Sequence, residues 1–105
     1  IDLEQPAAMS HVRFRSLVNK GAWIYNPSHD SVLVSDDGDI FREVAQLDIP
    51  ITTWMDNDGN FTYELEFEPV TARYVEVIVK DHMLPEDHDG FGYPAWIFVD
   101  EIEVF

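Results

Sequence analysis

The sequence predicts an all-β fold, an antiparallel β-sandwich or jelly roll. Short segments in which apolar and polar residues alternate recur along the chain, and this period-2 pattern is typical of half-buried strands. Clusters of Asp, Asn, Gly and Pro separate these segments and favour turns. Amphipathic helix patterns are nearly absent. Many short strands with frequent turns are typical of sandwiches and jelly rolls.

The first half of the chain predicts three strands. Residues 11–18 alternate, with Val12 and Phe14 on one face and Arg13 and Arg15 on the other. Residues 31–35 and 40–47 form two shorter strands around the acidic segment 36–39. Gly38 can supply the positive φ that a tight hairpin turn needs. These two strands are therefore predicted to form a hairpin.

The clearest strand signal lies at residues 61–68. Its apolar face consists of Phe61, Tyr63, Leu65 and Phe67, and glutamates alternate with them. Such a pattern predicts one face on a core and one face in water. Pro69 is predicted to end this strand, because proline cannot donate to the ladder. Residues 73–80 form the next strand, since their β-branched run favours a pleated and buried environment.

The last predicted strand covers residues 96–105, and its alternation changes parity midway. Ile97 and Val99 share one face, whereas Ile102 and Val104 belong to the opposite set. The charged pair Asp100-Glu101 lies where the parity switches. A β-bulge there would restore the apolar face by inserting one residue; the alternative is a strand buried on both faces. Before it, residues 81–95 show no periodicity, and a loop of this length is usually functional or mobile.

Length and charge limit the classes of function. The 105 residues suit one domain. The formal net charge of −15 disfavours nucleic acid and anionic membranes as partners. The absence of cysteine excludes disulfides, thiol catalysis and zinc–thiolate sites.

No catalytic or metal motif is recognisable. Carboxylates are so abundant that no pair of them indicates acid–base catalysis. The segment 56–60 resembles a calcium loop, but its glycine is fourth rather than sixth and Phe67 stands where an EF-hand has glutamate. A plain turn is the better interpretation. Around His88, the Asp87-His88-Asp89 segment is more simply an exposed loop than a metal site.

Aromatic residues in loops are the strongest sign of a binding site. Trp54 lies in a turn-rich segment, and Phe91 and Tyr93 lie in the long loop. An exposed ring can stack on the C–H face of a sugar, and Asp56 and Asn57 can bond to its hydroxyls. The alternative is that these rings cap the core. Trp23 and Trp96 adjoin strands and are predicted to be core residues.

The sequence resembles the coagulation-factor 5/8 type C, or discoidin, family of galactose-binding-like domains. Within it, the chain is similar to the C-terminal modules of bacterial family 20 β-N-acetylhexosaminidases, the chitobiases. The most specific stretch is Ala95-Trp96-Ile97-Phe98-Val99-Asp100-Glu101-Ile102. The hairpin Ser35-Asp36-Asp37-Gly38 and the strand segment Arg73-Tyr74-Val75 are typical of the wider fold. The other resembling stretches are residues 1–3, 21–27, 41 and 44.

The resemblance implies one domain over residues 1–105, a galactose-binding-like jelly roll that lacks the first strands of the family pattern. It implies a bacterial parent glycosidase that is periplasmic, outer-surface or secreted, with the catalytic domain of that chain as a partner. Related modules bind a structural calcium, and Glu101 matches one of its ligands. Calcium is therefore a candidate cofactor, although the other ligands belong to the part that is lacking.

The predicted function is a non-catalytic carbohydrate-binding module that recognises terminal sugars of N-acetylhexosamine- or galactose-type glycans. Its candidate site residues are Trp54, Asp56, Asn57, Phe91 and Tyr93. The alternative is a purely structural module that packs on the catalytic domain or serves assembly, because fold does not fix function. An independent hydrolase has little support in the sequence.

Overall fold

A computed structural model describes residues 1–51 and 57–105. These described ranges contain five strands and one short 3₁₀ helix: β1 (Asp2–Val18), the helix (Lys20–Ala22), β2 (His29–Ser35), β3 (Arg42–Asp48), β4 (Gly59–Lys80) and β5 (Val99–Val104). The strands form one sheet in the order β3-β2-β4-β1-β5, and every pairing is antiparallel. The prediction of an all-β antiparallel fold is confirmed. In the described ranges, no helix has the length and hydropathy needed to cross a lipid bilayer.

One face of the sheet carries the core. Its buried members are Met9, Val12, Phe14, Val32, Val34, Leu65, Ala72 and Val75. The predicted alternation in residues 61–68 is confirmed, because Leu65 is buried while Glu64 and Glu66 on the opposite face are exposed. The acidic face is thus the one in water, as period-2 patterning requires.

The two strands predicted at residues 61–68 and 73–80 are one long strand. The prediction that Pro69 ends the first of them is wrong. The register of β4 against β1 shifts between the pairs His11–Glu66 and Met9–Val70, so Pro69 lies within a bulge. On its other side β4 pairs with β2 only from Tyr74 to Lys80. Proline is tolerated here because the irregular register requires no ladder donor from it.

The parity switch in the last strand is a β-bulge, as one of the two alternatives predicted. Arg13 pairs with Glu103, but Arg15 pairs with Asp100, so β5 holds one residue more than β1 between these pairs. Glu101 lies in the extra segment with a φ of 53°. As a result, Val99 and Val104 both pack against the core. The strand itself begins at Val99 rather than at the predicted residue 96.

The predicted hairpin joins β2 and β3. In its turn, Asp37 accepts hydrogen bonds from the backbone of Asp39 and Ile40 at 2.9 and 3.0 Å. Gly38 has a φ of 79°, as a tight turn of this kind requires. These bonds hold the pKa of Asp37 below its usual value. Ile40, predicted to start β3, is instead an exposed turn residue.

The molecule is elongated. Its radius of gyration is 15.4 Å, whereas a compact domain of this length is expected to have about 13 Å. A second, smaller core lies outside the main one and consists of Tyr25, Leu84 and Ala95. It supports the segment between β4 and β5, which contains no strand, as predicted for residues 81–95.

Candidate functional site

The segment between β4 and β5 is built onto the segment that follows β1. The Trp96 N–H donates to the Trp23 carbonyl at 2.9 Å, and the Tyr25 N–H donates to the Trp96 carbonyl at 3.1 Å. These bonds form a parallel bridge between Ile24 and Trp96. They place two tryptophans from distant parts of the sequence side by side.

Backbone pairing also closes the long loop on itself. The Leu84 N–H donates to the Tyr93 carbonyl at 2.8 Å, and the Ala95 N–H donates to the His82 carbonyl at 2.9 Å. His82 in turn bonds through Nε2 to the carbonyl of Ile49 at 2.9 Å. The loop is therefore a hydrogen-bonded structure with fixed ends, although it has no strand periodicity.

His88 anchors the inside of this loop. Its Nε2 donates to the Lys20 carbonyl, and its Nδ1 accepts from the Gly90 N–H, both at 2.9 Å. Because one nitrogen donates and the other accepts, the ring is the neutral Nε2–H tautomer. Its edge contacts the rings of Trp23 and Tyr25, with centroids 5.6 and 5.8 Å apart. The prediction of an exposed loop at His88 is wrong, and both of its nitrogens are already occupied.

An ion pair between the buried Lys20 and the half-exposed Asp58 holds the residue before β4 against the same region. Lys20 is 3% exposed, and its Nζ lies 2.7 Å from Oδ1 of Asp58. Hydrogen bonds from the Lys20 ammonium and backbone lower the pKa of Asp58. Burial raises the pKa of the Tyr25 hydroxyl, and the negative charges of Asp87 and Asp58 add to this effect. The loop thus packs on buried side chains, and the charge of Lys20 is matched by the carboxylate of Asp58.

Trp23, whose ring contacts His88, also lines a cleft of about 330 Å³. Its lining residues are Trp23, Asp81, Tyr93, Pro94, Ala95 and Trp96. Two of the three rings that line it are largely exposed, Trp96 by 66% and Tyr93 by 64%. Trp23 is 36% exposed, and its ring centroid is 6.4 Å from that of Tyr93. We call this feature the aromatic cleft.

A more apolar groove adjoins the aromatic cleft and shares Trp96 with it. It is lined by Ala22, Ile24, Trp96 and Phe98 and has a volume of about 360 Å³. Phe98 is 54% exposed. No charged side chain lines this groove, which we call the apolar groove. Trp96 therefore lines both the aromatic cleft, which contains the carboxylate of Asp81, and the apolar groove, which contains no carboxylate.

The outer face of the sheet offers a third depression, which is charged. It is lined by Arg13, Arg15 and acidic side chains from β4 and β5. Arg13 pairs with Glu103 at 3.0 Å, and Arg15 pairs with Asp100 at 2.8 Å. Both guanidiniums are already matched by carboxylates, so this depression is a poor site for an anion.

Among the described residues that were predicted to bind sugar, only Tyr93 lines the aromatic cleft. Phe91 is 59% exposed but is not among the residues that line the cleft. Asn57 is exposed and likewise lies outside that lining. Trp54 and Asp56 lie outside the described residues.

Trp96 and Trp23 are residues that the sequence reasoning assigned wrongly. Both were predicted to be in the core, yet Trp96 is 66% exposed and Trp23 36%. At Trp96 the core prediction fails because the last strand begins at Val99 and not at residue 96. Pro94 immediately before this segment was the available signal that it belongs to the loop.

Glu101, the predicted calcium ligand, points to a different partner. Its carboxylate lies 3.6 Å from the guanidinium of Arg15 and is 63% exposed. Within residues 1–51 and 57–105, no three acidic or histidine side chains are grouped so that they could hold a metal ion. Calcium binding therefore gains no support from the described geometry.

Comparison with known proteins gives no further guide to function. No protein-family model matches this sequence, and no curated protein matches it. Function is therefore inferred from the aromatic cleft and from the resemblance carried by residues 95–102.

Proposed function

We propose that this chain is a carbohydrate-binding accessory module of a secreted bacterial β-N-acetylhexosaminidase, without glycosidase chemistry of its own. In this proposal the domain is a galactose-binding-like jelly roll. The all-β antiparallel sheet is compatible with that fold. The ligand is the terminal sugar of an N-acetylhexosamine- or galactose-type glycan, bound in the aromatic cleft.

The observation that carries this proposal is the exposure of Trp96 and Tyr93, which both line one cleft. Exposed rings held by a rigid backbone can stack on the C–H face of a sugar with little loss of conformational entropy. The cleft volume of about 330 Å³ is at the small end of the range for ligand sites. Asp81 adds a carboxylate that can accept hydrogen bonds from sugar hydroxyls. Aromatic walls with one polar acceptor suit a neutral and partly apolar ligand.

The electrostatics favour the same ligand class. With a net charge of −15, the surface repels nucleic acid and other polyanions. Neutral glycans are not affected by this repulsion. A weak site is sufficient for an accessory module, because tethering to the parent enzyme raises the effective concentration of substrate.

The proposal is tested by a ¹H–¹⁵N NMR titration of the folded chain. N-acetylglucosamine, galactose and chitobiose are added in turn, with and without calcium. We expect saturable shifts of the Trp96 indole N–H and of the Tyr93 and Ala95 amides. A folded spectrum that responds to none of these sugars would refute carbohydrate binding. Sugar shifts confined to residues 52–57 would place the site at Trp54 instead.

The apolar groove supports a second candidate function, a structural module that packs on the catalytic domain of the parent chain. Phe98 and Trp96 are large apolar side chains left exposed beside Ile24, and clustered exposed apolar side chains mark interaction surfaces. This candidate predicts that the isolated catalytic domain binds the chain in isothermal titration calorimetry. Phe98→Ala should then weaken that binding, whereas Tyr93→Ala should not. If neither variant changes it, the apolar groove is not the docking surface.

A further inference from the structure

Three polar side chains on the outer face of the sheet form a hydrogen-bonded series. Ser31 Oγ lies 3.2 Å from His29 Nε2, and His29 Nδ1 lies 2.6 Å from Asp48 Oδ1. An ionised carboxylate only accepts hydrogen bonds, so Nδ1 carries a proton and donates it to Asp48. In the neutral ring Nε2 is then free to accept the hydroxyl proton of Ser31. This is the order of nucleophile, base and orienting carboxylate found in acyl-transfer sites.

Strand geometry produces this arrangement. His29 and Ser31 are two residues apart on β2, so they share a face, and the residue between them, Asp30, points into the core. Asp48 is the cross-strand partner of His29 on β3. Cross-strand partners have Cβ atoms about 5 Å apart, which suits an imidazole–carboxylate bond.

β4, the other neighbour of β2, also places side chains beside His29 and Ser31. β4 places Lys80 opposite His29 and Ile78 opposite Ser31. Paired residues in antiparallel strands project from the same face. Ile78 is 39% exposed and offers apolar surface to a short acyl chain. The Lys80 ammonium adds positive charge on the face where an oxyanion would develop.

We propose that Ser31, His29 and Asp48 form a nucleophilic site that accepts acyl groups from activated esters. Ser31 Oγ forms a bond to the acyl carbon as its proton moves to His29 Nε2. The bond to the leaving alcohol then breaks, and that oxygen keeps the electron pair and takes the proton from His29. A water molecule then attacks the acyl-serine as its proton moves to His29. The bond between Ser31 Oγ and the acyl carbon breaks, Oγ keeps the electron pair and takes the proton back from His29, and the carboxylic acid is released. None of these residues lines the aromatic cleft, so this reactivity is separate from sugar binding.

The site is open, because it lies on a strand face and Asp48 is 90% exposed. Backbone N–H groups of a paired strand are used in the ladder and cannot form an oxyanion hole. The site is therefore suited to good leaving groups and to a slow turnover. The probe for the test is p-nitrophenyl acetate.

The test measures release of p-nitrophenolate and the intact mass of the protein. We expect one acetyl group per chain, located on Ser31 by peptide mapping. Ser31→Ala and His29→Gln should each lower the initial rate by about tenfold or more, as loss of a nucleophile or general base does.

The matched control is His11→Gln. His11 is also a partly exposed outer-face histidine beside a carboxylate, with Nε2 3.8 Å from Glu64, and it should leave the rate unchanged. The proposal is overturned if Ser31→Ala reacts as fast as the unmodified chain, since surface imidazoles or lysines would then account for the hydrolysis. Circular dichroism of each variant verifies the fold. If His29→Gln unfolds the sheet, the site of acetylation in the unmodified chain still decides the question.

Discussion

The main chains of Trp23 and Trp96 are joined by a 2.9 Å hydrogen bond, although 73 positions separate the two residues in the sequence (96 − 23). This bond holds together the two backbone segments from which two of the aromatic cleft's rings project. Because it belongs to the backbone, a change in either side chain leaves it in place. The contribution of each ring to binding can therefore be separated from its contribution to the fold.

Tyr93→Ala and Trp96→Ala should weaken sugar binding without unfolding the chain. Both side chains are more than half exposed, so their removal opens little cavity. Loss of one stacked ring should raise Kd about 5- to 10-fold, or about 1 kcal/mol. Phe98→Ala is the control, since Phe98 lines the apolar groove and not the aromatic cleft. A Phe98→Ala effect as large as that of Tyr93→Ala would contradict the assignment of the sugar to the aromatic cleft.

Asp30 should make the protein less stable as pH rises. Burial raises its pKa to about 6 from 3.8, and the charge of His29 opposes this only in part. Both carboxylate oxygens are buried without a hydrogen-bond partner among the described residues. The folded state binds the Asp30 proton more tightly than the unfolded state. The destabilisation is therefore absent below about pH 4 and complete above about pH 6, where it reaches about 3 kcal/mol.

The measurement for Asp30 is urea unfolding of the unmodified chain and of Asp30→Asn at several pH values. The stability difference between them should grow by about 3 kcal/mol between about pH 4 and pH 7, in favour of the variant. Glu66→Gln, on the exposed face of β4, is the control for the loss of one negative charge. If the Asp30→Asn difference is as flat with pH as that of Glu66→Gln, Asp30 is not buried in its charged form.

Gly90→Ala should destabilise the loop that carries the aromatic cleft. A Cβ at this position would lie 2.6 Å from the Cδ1 of Leu84 and 3.0 Å from ring carbons of Trp23. Leu84 is only 1% exposed and has little room to move. Overpacking of this kind costs about 1–3 kcal/mol. It should also displace Trp23, which would appear as a change in tryptophan fluorescence.

The matched variant for Gly90 is Gly21→Ala. The nearest atom to a Cβ there is Oδ1 of Asn19 at 3.8 Å, an ordinary contact. Thermal unfolding should give nearly the same Tm for Gly21→Ala as for the unmodified chain and a lower Tm for Gly90→Ala. Equal Tm values for all three proteins would mean that the loop does not pack on Trp23 and Leu84 as described.

Glu101→Gly should stabilise the chain. Glu101 has a φ of 53° in the β5 bulge, and this left-handed conformation costs a non-glycine residue about 1 kcal/mol or more. Its exposed contact with Arg15 contributes little. Chemical denaturation should show a gain of about 1 kcal/mol for Glu101→Gly and a loss for Glu101→Val, because β-branched residues tolerate positive φ least. A loss for both variants would indicate that the Glu101 carboxylate is needed, as a calcium ligand would be.

Local patterns predicted the parts of the fold that depend on local contacts. The alternation at Leu65 and its neighbours identified the buried face, because successive side chains of a strand point to opposite faces of the sheet. The parity change at Asp100-Glu101 favoured a bulge as one of two alternatives, and the register confirms it. The prediction that Pro69 ends a strand failed because the effect of a missing N–H depends on whether the partner strand needs that donor. Where the register of β1 and β4 is already irregular, the missing N–H has no consequence.

The sites were harder to predict because they join distant residues. Tyr93 was identified as a loop aromatic, but its neighbours Trp23 and Trp96 were assigned to the core from their proximity to strands. Only the backbone bridge shows that they face the same cleft. Likewise, the spacing of His29 and Ser31 is visible in the sequence, but Asp48 joins them through the register of β2 with β3, which no local pattern specifies.

The strand order also determines how the protein folds. Of the four pairings, only β2–β3 joins neighbours along the chain. The contact of Arg13 with Glu103 spans 90 residues, so closing the sheet requires the first strand to find the last. Pairing over such separations is slow, because loop-closure entropy is lost before the contacts form. During synthesis, the edge of β1 that pairs with β5 lacks its partner until β5 has been made.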